Sequence, residues 1–312
     1  MSETPIVFNR RAVRRNRDRA ARRLADHDFL LTEAAERLLD RLDDVKRDFP
    51  LALDLGCRTG FLAGLLAARP DRRGRVDTLI QCDLSEPMVR AARTAHPGPA
   101  LAADEEAIPF ADGTFDLILS SLALHWVNDL PGTLMQIRRA LKPDGLFLAA
   151  LFGGETLKEL RAALTEADLA QSGGASPRVS PFAQVRDLGQ LLQRAGFALP
   201  VVDADTIAVA YAEPARLLAD LRGMGEANAV AARRKSFSRR AMFAAARENH
   251  RRMADAPAPE HADDNDGVRR APATFQIVYL TAWAPHPDQP KPLRPGDGQT
   301  SLAAVLTDKD QP

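Results

Sequence analysis

The sequence has few cysteines, no long apolar run and no net charge, and each of these absences excludes a class of protein. Two of the 312 residues are cysteines, Cys57 and Cys82, too few for a disulfide framework or a cysteine-rich zinc site. No apolar run is long enough to span a bilayer, and the first residues lack the apolar core of a signal peptide. The formal net charge is zero, so no overall field favours nucleic acid or a membrane surface. We therefore expect a protein of the reducing cytoplasm with no nucleic-acid partner and no stable membrane insertion.

Lysine is also scarce, because 36 of the 42 basic residues are arginine. Eight arginines fall between Arg10 and Arg23, within a helical-looking extension over residues 1–49. Such a run is typical of a solvated helix face, but it would also suit a clamp for an acidic partner or for a carboxylate or phosphate of a substrate. A mitochondrial presequence is a third interpretation, although the acidic residues that follow argue against it.

Residues 50–151 alternate strand-like and helical segments, which is typical of an α/β fold with a parallel sheet and helices on both faces. Strands are predicted at 50–54, 75–83, 101–103, 115–120 and 145–151. Helices between them are predicted at 61–68, 87–95 and 131–141. The carboxyl ends of parallel strands share one edge of the sheet, and ligands of open α/β sheets bind at that edge.

The alternation is looser after residue 151. Helices are predicted at 155–169 and 182–195, strands at 199–210 and 274–283, a helical segment at 213–253 and a mobile loop at 254–272. We therefore expect three parts: the arginine-rich extension 1–49, a ligand-binding domain 50–283 with an insertion at about 213–272, and a mobile tail 284–312.

The segment Leu51–Gly60, LALDLGCRTG, predicts a buried strand that enters a glycine turn and then a helix. Gly56 and Gly60 frame this turn, whose amides and helix N-terminus suit a carboxylate or phosphate. A dinucleotide site would need G-x-G-x-x-G, whereas these glycines are four apart and follow Asp54. Arg58 stands where a second glycine would let the backbone approach a ligand. Its side chain could point to solvent if φ is negative, cover the pocket, or pair with a carboxylate of the ligand.

Acidic residues follow the next two predicted strands. Asp83 closes the second strand, and Asp104 and Glu105 follow the third. A carboxylate at the first place can accept hydrogen bonds from a ribose diol, and one at the second can accept from an exocyclic amine of adenine. One acid after a strand is usually a helix cap. Acids at three consecutive strand ends, Asp54 included, predict a cofactor that contains adenosine.

Together these motifs resemble those of the class I S-adenosylmethionine-dependent methyltransferases, as do the stretches DLSEPM, ADEEAIPFADGTFDLILS and LKPDGLFLAA. The resemblance implies a parallel sheet with a reversed last strand and S-adenosylmethionine as cofactor. It places the first acid near the cofactor's amino group, the second on the ribose and the third on the adenine. The implied cofactor-binding residues are Asp54, Gly56, Arg58, Gly60, Asp83, Leu84, Met88, Asp104 and Glu105.

Further stretches narrow the resemblance, among them SSLALHWVNDLP, FGGETLKELR, LRGMGEANA and PATFQIVYLTAW. Over roughly residues 6–283 the chain resembles the family of mitochondrial complex I assembly factors that hydroxylate a protein arginine, with their bacterial relatives. The partner implied is a hydrophilic subunit of complex I. A more distant resemblance, to the malonyl-carrier-protein methyl ester enzymes of biotin synthesis, implies an acyl-carrier protein instead. A non-catalytic assembly chaperone with a vestigial cofactor site is the third alternative.

His125 is the best-placed candidate for a general base, because it follows the fourth predicted strand at the ligand-binding edge. Trp126 beside it could line the pocket, or His125 and Trp126 could simply cover the end of the sheet. His261 and Asp263 have a spacing found in iron-binding facial triads, but no second histidine pairs with them convincingly. We therefore predict no metal site, and hydroxylation has no account at the level of residues.

Overall fold

One seven-stranded sheet organises the structure, a computed structural model that describes residues 5–69, 76–253 and 270–289. Its strands are β1 (Phe49–Leu55), β2 (Val76–Asp83), β3 (Ala100–Ala102), β4 (Phe115–Ser121), β5 (Leu141–Phe152), β6 (Ala198–Tyr211) and β7 (Ala271–Trp283). Their order across the sheet is β3-β2-β1-β4-β5-β7-β6. Strands β1 to β5 pair in parallel, whereas β7 is antiparallel to both β5 and β6. The predicted parallel sheet with a reversed last strand is confirmed.

Helices cover both faces of this sheet. They are α1 (Arg10–Ala20), α2 (Phe29–Asp43), α3 (Phe61–Ala68), α4 (Glu86–Ala95), α5 (Leu130–Ala140), α6 (Lys158–Ser172), α7 (Val185–Arg194), α8 (Pro214–Gly223) and α9 (Arg240–Arg252). Side chains of α2, α3, α6, α8 and α9 form one apolar cluster, and those of α5 and α7 form a second. None of the helices in the described ranges is both long and apolar enough to cross a membrane.

The predicted helical segment 213–253 is wrong in its middle, because residues 224–239 form no helix. Gly225 adopts a φ of 82° immediately after α8, and the amide of Glu226 donates to the carbonyl of Leu221 at 2.7 Å. This left-handed cap ends the helix and turns the chain towards the sheet edge. Residues 254–269 of the predicted loop and 290–312 of the predicted tail lie outside the described residues.

Helix α2 fixes the N-terminal extension to the domain. Its buried residues follow a helical period and are Leu30, Leu31, Ala34, Ala35, Leu38, Leu39 and Leu42. This face packs into the same cluster as the sheet residues Leu117, Leu119 and Leu148, so burial of apolar area holds α2 in place. Helix α1 is different, because two of its arginines reach the sheet edge. The boundaries of the three predicted parts remain a prediction.

Candidate cofactor site

The glycine turn after β1 has the backbone that the sequence predicts. Gly56 and Gly60 have φ of 88° and 92°, values that residues other than glycine rarely adopt. A Cβ on Gly56 would lie 2.2 Å from the Cβ of Ala123, so the turn passes directly over the loop that follows β4. The amides of Gly56 and Cys57 both donate to the carbonyl of Cys82, at 2.7 and 2.9 Å. The turn is thereby fastened to the end of β2.

Asp54, the first predicted acid, is buried at the end of β1 with 1% of its surface exposed. Neither of its carboxyl oxygens has a hydrogen-bond partner in the described part of the chain. Burial, reinforced by the nearby charge of Asp83, raises the pKa of Asp54 well above its usual value. An unpaired buried acid is costly, and a cationic group bound beside it would remove that cost.

Asp83, the second predicted acid, is fully buried and held by three donors. Its Oδ1 accepts from the amide of Ser85 at 2.8 Å and from Nη1 of Arg17 at 3.3 Å. Its Oδ2 accepts from the amide of Arg58 at 3.1 Å. The carboxylate therefore joins the glycine turn to the start of α4, because Ser85 is the N-cap of that helix.

The third acidic position, Asp104 with Glu105, lies at the same edge as predicted. Glu105 Oε1 accepts from Nη1 of Arg17 at 2.5 Å, and Nη2 of Arg10 bridges Glu105 and Asp104. Burial alone would raise the pKa of Glu105, but the charges of Arg17 and Arg10 outweigh it and hold that pKa below its usual value. The structure thus brings the predicted acids to one edge of the sheet, and guanidinium groups of α1 bind Asp83, Asp104 and Glu105 but not Asp54.

Arg58 does not point to solvent, and the interpretation with a negative φ is wrong. Its φ is 53° and its side chain is 2% exposed. Nη1 donates to the carbonyl of Met224 and Nη2 to the carbonyl of Leu122, each at 2.8 Å. Nη2 also forms an ion pair with Glu226. The side chain therefore crosses the turn and holds the loop that follows α8.

Glu226 connects Arg58 to the predicted base. Its Oε2 accepts from Nε1 of Trp126 at 2.8 Å and contacts Nε2 of His125 at 3.0 Å. Burial would raise the pKa of Glu226, but Arg58 and His125 lower it to about 2, so the group is a carboxylate at neutral pH. Burial lowers the pKa of His125 and outweighs the opposing effect of Glu226. A neutral imidazole that donates through Nε2 keeps a lone pair on Nδ1, an atom with no partner in the residues described.

Two of the predicted cofactor residues, Met88 and Leu84, pack among apolar side chains. Met88 is fully buried in the apolar cluster that α2 joins. Leu84 is partly buried against the small apolar cluster that contains Phe8 and Trp126. Their assignment to the cofactor remains a prediction, as does that of the other site residues.

Three charged residues of the site were not predicted: Arg10, Arg17 and Glu226. Arg17 occupies an inward position of α1, between the buried Val13 and Ala20. An arginine at a place where the helical period expects an apolar residue is a signal for a buried ion pair. Glu226 had a weaker signal, as an acid within the otherwise uncharged stretch MGEANAV.

No group of three or more histidine, cysteine, aspartate or glutamate side chains in the described ranges is arranged to hold a metal ion. His261 and Asp263 lie outside those ranges.

Comparison with known proteins bears on the fold and the family. The family model "Methyltransferase domain" matches residues 53–149. A Bacillus halodurans crystal structure titled as a putative methyltransferase shares the fold, with a TM-score of 0.54 and 15% identity over 81% of this chain and all of that one. The chain therefore has the fold of the class I methyltransferases.

Two relatives narrow this class. "Arginine-hydroxylase NDUFAF5, mitochondrial" of Danio rerio is 43% identical over 300 residues, which cover 95% of this chain and 88% of the relative. "Malonyl-[acyl-carrier protein] O-methyltransferase" of Halorhodospira halophila is 35% identical over 281 residues, which cover 88% of each chain. The chain belongs to the S-adenosylmethionine-dependent methyltransferase family that contains these relatives, which confirms the predicted family and its cofactor.

The acids fit that cofactor by their chemistry. Unpaired Asp54 suits its ammonium group, whereas Asp83 and Glu105 suit the hydroxyl and amine donors of its adenosyl group. The available space does not fit the cofactor, because the cavity beside Asp54 measures only about 10 Å³.

Proposed function

We propose that this chain binds S-adenosylmethionine at the carboxyl edge of β1 to β4 and modifies an arginine side chain of a protein during assembly of respiratory complex I. The observation that carries the binding site is Asp54, a buried acid without a partner behind a glycine turn and in line with Asp83 and Glu105. The substrate class rests on the 43% identity to an arginine hydroxylase over 95% of the chain.

Each residue of the site has a role in this proposal. Asp54 would bind the ammonium group of the cofactor, Asp83 the ribose hydroxyls, and Glu105 with Asp104 the adenine amine. Gly56 and Gly60 would let the backbone approach the methionine end. When bound, the cofactor supplies a methyl group on a sulfonium, an electrophile that needs alignment more than activation.

His125 is the proposed proton acceptor. Glu226 would hold its Nε2–H and so leave Nδ1 free to take a proton from a nucleophile. A proton acceptor must be neutral, and burial lowers the pKa of His125 and so keeps its imidazole neutral. An arginine guanidinium is a very weak acid, so a base beside it would be needed for any reaction at its nitrogen.

Charge supports an arginine over a carboxylate substrate. The acids of this region bind three guanidinium groups in the structure, those of Arg10, Arg17 and Arg58. A malonyl carboxylate would face those same acids and would need one of the arginines released. The 35% identity to the malonyl enzyme nevertheless makes carboxyl methylation of a carrier protein the second candidate.

The decisive experiment is mass spectrometry of complex I subunits from a strain that lacks this gene. Loss of one oxygen atom's mass from one arginine would support hydroxylation, and loss of one methylene's mass would support methylation. Complementation with the wild-type gene should restore the modification, whereas the Asp83→Ala variant should not. An unchanged set of subunit masses would contradict the proposed substrate.

Two in vitro assays separate the alternatives. Transfer of label from methyl-labelled cofactor to a malonyl carrier protein would favour the second candidate. Cofactor binding that is absent by calorimetry, with complex I assembly still dependent on the gene, would favour a non-catalytic chaperone. We place the reaction in the cytoplasm, where the free thiols of Cys57 and Cys82 would stay reduced.

A further inference from the structure

The place that the acids offer to an adenosyl group is filled by α1. Arg17 is fully buried, and its Nη1 donates to Asp83 and to Glu105. These are the two carboxylates assigned above to the ribose hydroxyls and the adenine amine. A guanidinium N–H donates as a hydroxyl or an amine does, so Arg17 satisfies the same acceptor atoms that the cofactor would use. The buried guanidinium also occupies the space in front of these atoms, so the two groups would compete for them.

The space beside Asp54 is also small. A cavity of about 10 Å³ remains there, lined by the glycine turn, α2, α3 and Ser121, whereas pockets for ligands of the cofactor's size measure about 300–1,000 Å³. The methionine end therefore also needs side chains to move, and on the adenosyl acids the side chain that must move is that of Arg17.

Helix α1 is held by polar contacts as well as by the buried Ala12, Val13 and Ala20 on its inner face. Asn16 Nδ2 donates to the carbonyl of Ala227 at 2.8 Å, and the amide of Asn9 donates to the carbonyl of Ala229 at the same distance. Asp18 accepts from the hydroxyl of Ser85 at 2.6 Å. The main apolar anchor of the extension is α2, which begins at Phe29 and packs into the core. Polar contacts with the 224–231 loop and α4 thus supply much of the docking.

Several buried polar atoms lack hydrogen-bond partners while α1 is docked. Nε and Nη2 of Arg17 and both carboxyl oxygens of Asp54 are buried, with no hydrogen-bond partner in the residues that the structure describes. Buried polar groups without partners cost free energy. Release of α1 would hydrate Arg17, and cofactor binding would pair Asp54, so the docked state gives up interactions that the cofactor-bound state would make.

We propose that α1 is an intramolecular competitor of the cofactor: its docking closes the adenosyl site through Arg17, and S-adenosylmethionine binds only when α1 has moved away. This inference rests on the proposed function, because it assumes that Asp83 and Glu105 bind the adenosyl group. It implies that the measured affinity is the intrinsic affinity reduced by the fraction of chains in which α1 is undocked.

The test is calorimetric titration of the full chain with S-adenosylhomocysteine, methylthioadenosine and methionine. Arg17→Ala should bind the first two at least tenfold more tightly than wild type, because it removes the guanidinium that occupies Asp83 and Glu105 and weakens the docking of α1. Methionine affinity should change less. The matched control is Arg14→Ala, an exposed position of the same helix, which should bind like wild type.

A second variant guards against a folding defect in Arg17→Ala. Asn16→Ala removes the contact with Ala227 and touches none of the proposed cofactor residues, so tighter adenosyl binding in this variant would also support competition. Hydrogen exchange gives an independent readout, since addition of S-adenosylhomocysteine to wild type should speed exchange of the amides in 10–20.

The outcomes are distinguishable. Weaker or unchanged adenosyl binding in both variants, or slower exchange in α1 upon ligand addition, would overturn the competition and would make α1 a clamp over the cofactor. Absence of binding in wild type and in both variants would instead overturn the proposed function and, with it, the ligand assumed here.

Discussion

Replacement of Arg58 by glycine tests what this arginine does at a position that favours glycine. The change relieves a left-handed conformation, which is worth about 1–2 kcal/mol. It also breaks the buried pair with Glu226, and loss of one partner of such a pair costs about 3–5 kcal/mol. The free energy of unfolding should therefore fall by about 1–4 kcal/mol. The lower half of this range is expected, because Glu226 keeps His125 and Trp126 as partners.

The loss should depend on pH through His125. The charge of Arg58 helps to lower the pKa of His125 in the native state, so its removal raises that pKa beside the carboxylate of Glu226. Relative to wild type, a higher native pKa of His125 makes protonation of the folded variant less costly, so this compensation is present at low pH and is lost as pH rises through the histidine range. Arg58→Gly should therefore lose more stability at pH 8 than at pH 6, about 1.5 units above and 0.5 below the ordinary histidine pKa of 6.5.

Urea denaturation at both pH values measures this, with two comparisons. Leu199→Gly, at another left-handed position with φ of 49° and a half-exposed side chain, isolates the gain from relief of strain. The double variant with Glu226→Gln should lose less than the sum of the single variants, because it removes both charges. A variant Arg58→Gly as stable as wild type at pH 8, or additive single effects, would refute the argument.

Three further predictions concern the site. Asp83→Ala should weaken binding of S-adenosylhomocysteine by about 1–3 kcal/mol in calorimetry, the loss expected for hydrogen bonds to a charged group; unchanged affinity would mean that the ribose lies elsewhere. Gly56→Ala should lower the free energy of unfolding by about 2–5 kcal/mol, because a Cβ there combines strain with overlap on Ala123, whereas Gly113→Ala, at φ of 65° with open space around it, should lose only the strain. Wild-type stability should fall as pH drops below about 6.5, because the native pKa of His125 is lowered and the unfolded chain takes the proton first; His125→Gln should flatten that part of the profile.

The strands and their acids could be predicted because their signals are local. Alternating segments imply parallel strands, and parallel strands place their carboxyl ends at one edge. Asp83 and Glu105 follow from that rule without any knowledge of packing. The turn between Gly56 and Gly60 is equally local, because positive φ is a property of the residue type.

Burial of Arg17 within the arginine run could not be predicted in this way. Eight arginines in a short stretch are typical of a solvated helix face, and the charge pattern alone does not show which of them meets an acid. Arg17 reaches Asp83 and Glu105 over 66 and 88 residues of chain. Its burial depends on where the preceding Phe8 and the 224–231 loop fasten the helix, since Phe8 forms a β-bridge with Val230.

Arg58 and Glu226 show how the chain tolerates a departure from the glycine pattern. The backbone of Arg58 adopts a left-handed φ of 53°, and its amide donates to Asp83, so the arginine fits the turn without loss of that hydrogen bond. Its side chain leaves the turn and binds the 224–231 loop, 168 residues further along, through Glu226. That same loop accepts the hydrogen bond from Asn16 of α1. The arginine therefore connects the glycine turn to α1 through this loop. Its replacement by glycine should also speed hydrogen exchange in α1, whereas an arginine that only obstructs the turn would leave exchange in α1 unchanged.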